Sequence, residues 1–308
     1  MRLGFGLLHA GPAATADAIV KVCKHAEGLG YESLYVADRV LWPVDPKVPY
    51  PASSDGKLPE QFQTVVDPFE TLAFAAAHTS RVRLGTSVIN LPYYNPVLLA
   101  RQLTAIDVLS KGRLAAGFGL GWSPDEYEAV GTSIKDRAKR ASEALRVLKA
   151  IWTTDPVEFS GKYYKIPKSI VGPKPVQKPH PPIYMAAFAP EALKRVARHA
   201  DGWMPARVPV AGMVQMFGGI KKMAEEFGRD PSKLELIVRG HAYVYDKPLG
   251  DDRAIFAGSE DQIKADIAAT RKIGAHELFF DVQFSPGINT LDRVIARMDR
   301  LWTLAKSA

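Results

Sequence analysis

Short apolar runs alternate with stretches of helical period eight times along this chain, the pattern left by successive βαβ units and a parallel sheet. The runs are Leu3 to Leu8, Ser33 to Ala37, Val82 to Val88, Leu114 to Phe118, Ile183 to Ala187, Gly202 to Pro205, Leu234 to Val244 and Glu277 to Asp281. Between them, residues such as Ile19, Val22, Cys23, Ala26 and Leu29 keep one apolar stripe at steps of three and four, and Gly30 stands where a left-handed residue closes a helix. Ser259 with Gln262 three residues on predicts a capping box, and Gly274 follows the last apolar residue of that helix, Ile273. Eight strand-helix repeats fit a closed (β/α)8 TIM barrel better than an open doubly wound α/β sheet, and 308 residues suit one such domain spanning 1–308.

Three stretches interrupt the alternation. Leu41 to Val66 follows strand two and Leu120 to Asp136 follows strand four, so both belong at the C-terminal mouth, where barrel loops build sites. Thr154 to Pro182 carries a hairpin-like EFSGKYYKI around Ser160 and Gly161, then a proline-rich run. Preceding strand five, it is expected largely on the opposite face unless it folds back.

With 47% apolar and 24% charged residues the chain has the composition of a soluble globular protein with a sizeable core. No stretch approaches the ~20 apolar residues that span a bilayer, and the initial MRLGFGLLHAG reads as a strand rather than a signal peptide. The single cysteine, Cys23, excludes an internal disulfide, and a cytoplasmic location is expected. The formal charge of +7 favours anionic ligands or simply solubility. Its basic residues are scattered along helices, without a basic tract, so neither nucleic acid nor membrane is an expected partner.

Position alone nominates the residues that end strands at the mouth: His9, Asp38, Arg39, Ser87, Asn90, Gly119, Gly121, Trp122, Phe188, Arg207, Asp281 and Gln283. His9 has the chemistry of a general acid or base, or of a hydrogen-bonding wall. Asp38 and Arg39 form an adjacent acid-base pair able to contact cofactor or substrate, or only each other. Gly117, Gly119 and Gly121 look like a phosphate turn but fail the dinucleotide fingerprint, because Trp122 occupies its last position and no helix starts at once. Pro190 opens a helix whose free N–H groups suit a phosphate, with Lys194 and Arg195 nearby. The seven histidines are dispersed and no metal-binding spacing occurs, nor is there a G-x-S-x-G nucleophile.

Three stretches, GYESLYVADRV, RVRLGTSVINLPYYNPVLLARQLTAIDVLSKGRLAAGFGLGW and GSEDQIKADIAATRKIGAHELFFD, together resemble the luciferase-like monooxygenase superfamily, in particular its branch of coenzyme F420-dependent oxidoreductases. The resemblance runs over nearly the whole chain. It implies a non-prolyl cis bond between Ser87 and Val88, forming a bulge behind the central cofactor ring. It places Asp38 near that ring, with Gly119, Gly121 and Trp122 along the ring or ribityl chain. Ala186, Ala187, Phe188 and Ala189 with the following helix would hold the phosphate. It further implies a homodimer through the early helices. Two departures stand out: Arg39 occupies the place of a catalytic histidine in the sugar-phosphate dehydrogenases of the family, and Trp122 that of an acid. The glycine pair common after strand five is here Ala187 and Phe188.

The resulting expectation is hydride transfer between a deazaflavin (F420) and a small organic substrate, with His9, Asp38 and Arg39 handling protons or orienting substrate and with Trp42, Tyr93 and Trp122 as walls. Two alternatives stay open: an FMN-dependent monooxygenase using reduced flavin and oxygen, and a non-catalytic flavin-binding protein.

Overall fold

The computed structural model describes residues 1–53, 55–285 and 287–308. Its centre is a closed barrel of eight parallel strands: Arg2–Gly6, Ser33–Val36, Arg83–Thr86, Leu114–Gly119, Ile183–Met185, Gly202–Trp203, Glu235–His241 and Glu277–Asp281. Each strand pairs with the next, and Arg2–Gly6 closes the ring against Glu277–Asp281. All eight fall on the apolar runs of the sequence. The seventh is shorter than expected: it ends at His241, and Tyr243–Val244 turns away to pair with Ala257–Gly258.

Helices cover the barrel where the apolar stripes require them. Gly30 closes the helix Ala16–Leu29 (α1) at φ 103°, and its N–H reaches the Ala26 carbonyl. The Ser259–Gln262 capping box is present in both directions at the start of Glu260–Lys272. Asp67 and Asn95, each ahead of a proline, cap Pro68–His78 (α2) and Pro96–Leu109 (α3).

Strand residues alternate between the helical shell and the barrel interior, and the interior is layered. Along the eighth strand Glu277, Phe279 and Asp281 point one way; along the seventh, Glu235, Ile237, Arg239 and His241 do so. At the lower end the fully buried Glu277 accepts from Arg2 Nε (3.0 Å), Ser33 Oγ (2.5 Å) and Tyr35 Oη (2.7 Å), with Arg83 at 3.5 Å. The middle layer is apolar, built from Tyr35, Ala115, Tyr184, Met204, Ile237 and Phe279, with Tyr35 and Phe279 stacked at 4.2 Å. The upper layer, Arg239 and Asp281, faces the mouth.

The segment 154–182 does two things. Residues 176–177 stay at the lower end, where the buried Asp107 accepts from the Val176 and Gln177 backbone. The hairpin Val157–Ser160 with Lys165–Ser169 folds back along the helix Arg137–Thr153 (α5), and Glu143 accepts three backbone N–H groups of its turn.

Replacing Glu277 with leucine would leave Arg83 and one arm of Arg2 without their buried counter-charge. We expect a loss of about 3–5 kcal/mol in unfolding free energy by urea denaturation; a loss under about 1 kcal/mol would contradict this role.

Candidate functional site

The mouth is organised around a fault in the third strand. Leu84 lies opposite Leu114, but Ile89 lies opposite Phe118, so the strand carries one extra residue between the two pairings. The Ser87–Val88 peptide within this bulge is cis. Ser87 N–H donates to the Val36 carbonyl at 2.6 Å and Asp38 N–H to the Val88 carbonyl at 3.3 Å, which joins the bulge to the end of strand two. On its other side, Arg239 Nη1 donates to the Ser87 carbonyl at 2.7 Å.

Above the bulge opens a cavity of about 560 Å³, within the range of small-molecule and cofactor sites. It brings together Asp38, Arg39, Ser87, Val88, Asn90, Trp122, Ala186, Phe188 and Arg207 among the residues nominated from sequence. Tyr50, Phe62, Met204, Arg239, His241, Tyr243 and Phe284 complete much of the wall. The segment after strand two supplies a roof of aromatic rings. Tyr50 lies 5.4 Å from Trp122, and Phe62 lies 4.7 Å from Phe284.

Two charged assemblies fix the walls. The Arg39 guanidinium sits between the Phe62 and Trp122 rings, 5.3 and 5.4 Å from their centroids, and donates through Nη2 to Glu126 at 2.6 Å. Glu126, fully buried on the short helix Pro124–Ala129 (α4), also accepts from Val40 N–H (2.9 Å) and Tyr93 Oη (3.0 Å). On the opposite side Arg239 pairs with the buried Asp281, which also accepts from Gln283 N–H. Burial works to raise the Asp281 carboxyl, but the charge of Arg239 and the hydrogen bonds from Arg239 and Gln283 outweigh it, leaving the group below its ordinary value.

Asp38 differs from both. Its Oδ2 accepts from Asn90 N–H (3.3 Å) and Tyr94 Oη (3.1 Å), and no cation lies within ion-pair distance among the described residues. Burial, reinforced by Glu126 and Asp67, exceeds the effect of these two donors and raises its pKa to about 6. A carboxyl of this kind holds or releases a proton near neutrality. His241 is pushed the other way, to about 3, first by burial and then by Arg239 and Arg207, so its imidazole is neutral.

Other nominated residues stand behind the wall. His9 is buried, with Nδ1 2.9 Å from the Leu7 carbonyl and Nε2 2.9 and 3.0 Å from the Ala37 carbonyl and amide. Burial lowers its pKa, and the ring braces the ends of strands one and two without bordering the cavity. Gly119 makes room: a Cβ there would lie 2.6 Å from Val88 Cγ2, so the glycine lets Val88 seat in the wall. Gly121, at φ 73°, turns the chain where a side chain would strike the Tyr93 ring. Tyr93 itself serves Glu126, and Trp42 lies outside the lining residues. Ala187 is buried, accepting from Trp203 Nε1, while Ala189 precedes the helix Pro190–His199 (α6) as a cap without a side-chain hydrogen bond.

Sequence reading missed Glu126, Arg239 and, of the aromatic roof, Tyr50, Phe62 and Phe284. Arg239 did leave a signal, a charge inside the apolar run LIVRGH at the parity of inward-facing residues. Ser123 followed by Glu126 also had the spacing of a helix cap. Tyr50 and Phe62 left none, since a long irregular segment has no period to read.

Asp38 has a testable consequence for stability. Its folded pKa lies above the unfolded value, so its ionisation opposes folding as pH rises from about 4 through about 6. Asp38→Asn should therefore stabilise the protein at pH 8 by on the order of 1–3 kcal/mol relative to its effect at pH 4, read from denaturation curves at the two pH values. An equal effect at both would refute the assignment.

A family model described as luciferase-like monooxygenase matches residues 2–249. An uncharacterised protein of Mycobacterium tuberculosis is 35% identical over 181 residues, 58% of this chain and 64% of that protein. The match thus spans somewhat less than two thirds of that relative's length. An F420-dependent glucose-6-phosphate dehydrogenase of Kineococcus radiotolerans is 37% identical over 137 residues, 43% of this chain and 40% of the relative. The crystal structure of monooxygenase RslO1 from Streptomyces bottropensis superposes with a TM-score of 0.81 at 21% identity, covering 100% of this chain and 99% of that one, a likeness of fold. With the barrel, the bulge and the cavity in place, the family match over 2–249 is decisive: the chain belongs to the luciferase-like monooxygenase family.

Proposed function

We propose that this protein is an oxidoreductase that passes a hydride between a deazaflavin of the F420 type and a small organic substrate at the barrel mouth. The observation that carries the reading is the cavity floor: the bulge at Ser87 and Val88, backed by Gly119 and held from below by Arg239, borders a space that suits a planar ring system. The dehydrogenase relative supports the F420 form of the reading.

Ser87, Val88, Asp38 and Trp122 would hold the ring, supported from behind by Gly119 and Gly121. Ala186 to Ala189 with the first N–H groups of α6 would take the phosphate. When bound, the deazaflavin supplies the hydride at its C5 position. Asp38 holds or releases the accompanying proton at its carboxyl, since its raised pKa puts both forms within reach near neutral pH. Arg39 is clamped by Glu126 and two rings and orients rather than exchanges protons, because a guanidinium does not deprotonate in proteins. The roof of Tyr50, Phe62 and Trp122 keeps water from the reacting atoms.

The second reading, monooxygenation with reduced FMN and oxygen, is favoured by the fold likeness to a monooxygenase. Fluorescence titration separates the two. Saturable quenching of F420 and carbonyl-dependent oxidation of reduced F420 are expected; saturable quenching by FMN alone would overturn the first reading. Asp38→Asn should lower turnover by at least about 10²-fold at saturating F420.

We also propose a homodimer through α2 and α3, which carry the exposed apolar side chains Phe74, Leu98 and Leu109. Light scattering should give twice the chain mass, falling to one chain for Leu98→Asp combined with Leu109→Asp. A monomeric native protein would exclude the assembly.

A further inference from the structure

We propose that the substrate of this cavity carries a carboxylate and that Arg207, at the rim, receives it. The inference deepens the redox reading of the mouth and rests on it for the word substrate.

Three guanidinium groups border the cavity, those of Arg39, Arg207 and Arg239. Arg39 is matched by Glu126 and Arg239 by Asp281, both carboxylates lying behind the wall. Arg207 has no carboxylate within ion-pair distance among the described residues, and its hydrogen bonds go to neutral acceptors, the Ala52 carbonyl and the Tyr243 hydroxyl at 3.4 Å. The carboxylate that does border the cavity, Asp38, is engaged elsewhere by Asn90 and Tyr94. The cavity therefore presents one cation whose charge nothing in the described chain offsets, and it is exposed, so a ligand can reach it.

The backbone of Arg207 gives an independent indication. It adopts φ 59°, the left-handed region that non-glycine residues occupy at a cost. A glycine would relieve that cost but would remove the side chain, so the position holds a cation where the conformation favours none. Beside it, the neutral His241, which also lines the cavity, has a buried Nδ1 with no partner among the described residues. Met204, Phe188 and Tyr243 provide an apolar surface next to these polar atoms. That combination fits a compact organic acid whose apolar body enters the cavity and whose carboxylate stays at the rim, where a planar guanidinium binds it through paired N–H groups.

The test uses cofactor-free protein and two small probes of one shape, benzoate and benzamide, with affinities read by ligand-observed NMR. Wild-type protein should bind benzoate at least about tenfold more tightly than benzamide. Arg207→Met should abolish that preference, and Arg207→Lys should keep part of it. Equal binding of the two probes by wild-type protein, a comparison that needs no variant to fold, would overturn the proposal. So would a preference unchanged in Arg207→Met. Repeating the titration with protein saturated with F420 or FMN identifies the owner of the seat. Benzoate that still binds supports a substrate carboxylate, whereas benzoate expelled by the cofactor assigns Arg207 to the cofactor's own anionic groups and overturns the proposal. Because F420 quenching is measured separately, failure here leaves the cofactor reading standing, and failure of the cofactor reading is seen without benzoate.

Discussion

Arg239 is the residue on which the mouth depends. From strand seven it reaches the Ser87 carbonyl of strand three and the Asp281 carboxylate of strand eight, tying three strands across the barrel interior. A guanidinium suits this task because its donors lie in one plane and point to different partners at once. A buried charge of this kind is tolerable only when paired, and Asp281 provides the pairing. The floor of the cavity is thus set by the barrel itself, and loops have only to build upon it.

The same logic recurs at the edge of the site with a different outcome. Arg39 and Glu126 form a second buried pair, and its function is positional: it pins the segment after strand two to the short helix after strand four and closes aromatic rings over the opening. Between these neutralised pairs stand two groups left unmatched, Asp38 and Arg207. One is a carboxyl whose proton is loosely held near neutrality, the other a cation facing solvent. Sites concentrate their chemistry in such exceptions, because matched charges stabilise geometry while unmatched ones remain available to a ligand.

Much of the fold was legible because it is local. Each of the eight apolar runs became a strand, Gly30 and the Ser259–Gln262 pair ended and began helices as their chemistry requires, and the hairpin around Ser160 and Gly161 formed. The run Leu234 to Val244 shows the limit: its composition reads as one strand, yet pairing with Glu277–Asp281 stops at His241 and the chain leaves the barrel. His9 shows another. A histidine at a strand end has the position of a proton carrier, but only packing reveals that both its ring nitrogens are spent on backbone groups.

What the sequence determined by itself was the barrel and the end at which the cavity opens, with the bulge at Ser87 and Val88 implied by the motif's resemblance, since period, caps and motif are properties of neighbouring residues. Tertiary structure alone decided which polar groups meet. Arg39 and Glu126 lie 87 positions apart and Arg239 and Ser87 lie 152 apart, and no local pattern encodes such partners. They are selected when barrel closure brings the strand ends together and burial makes every unpaired charge costly.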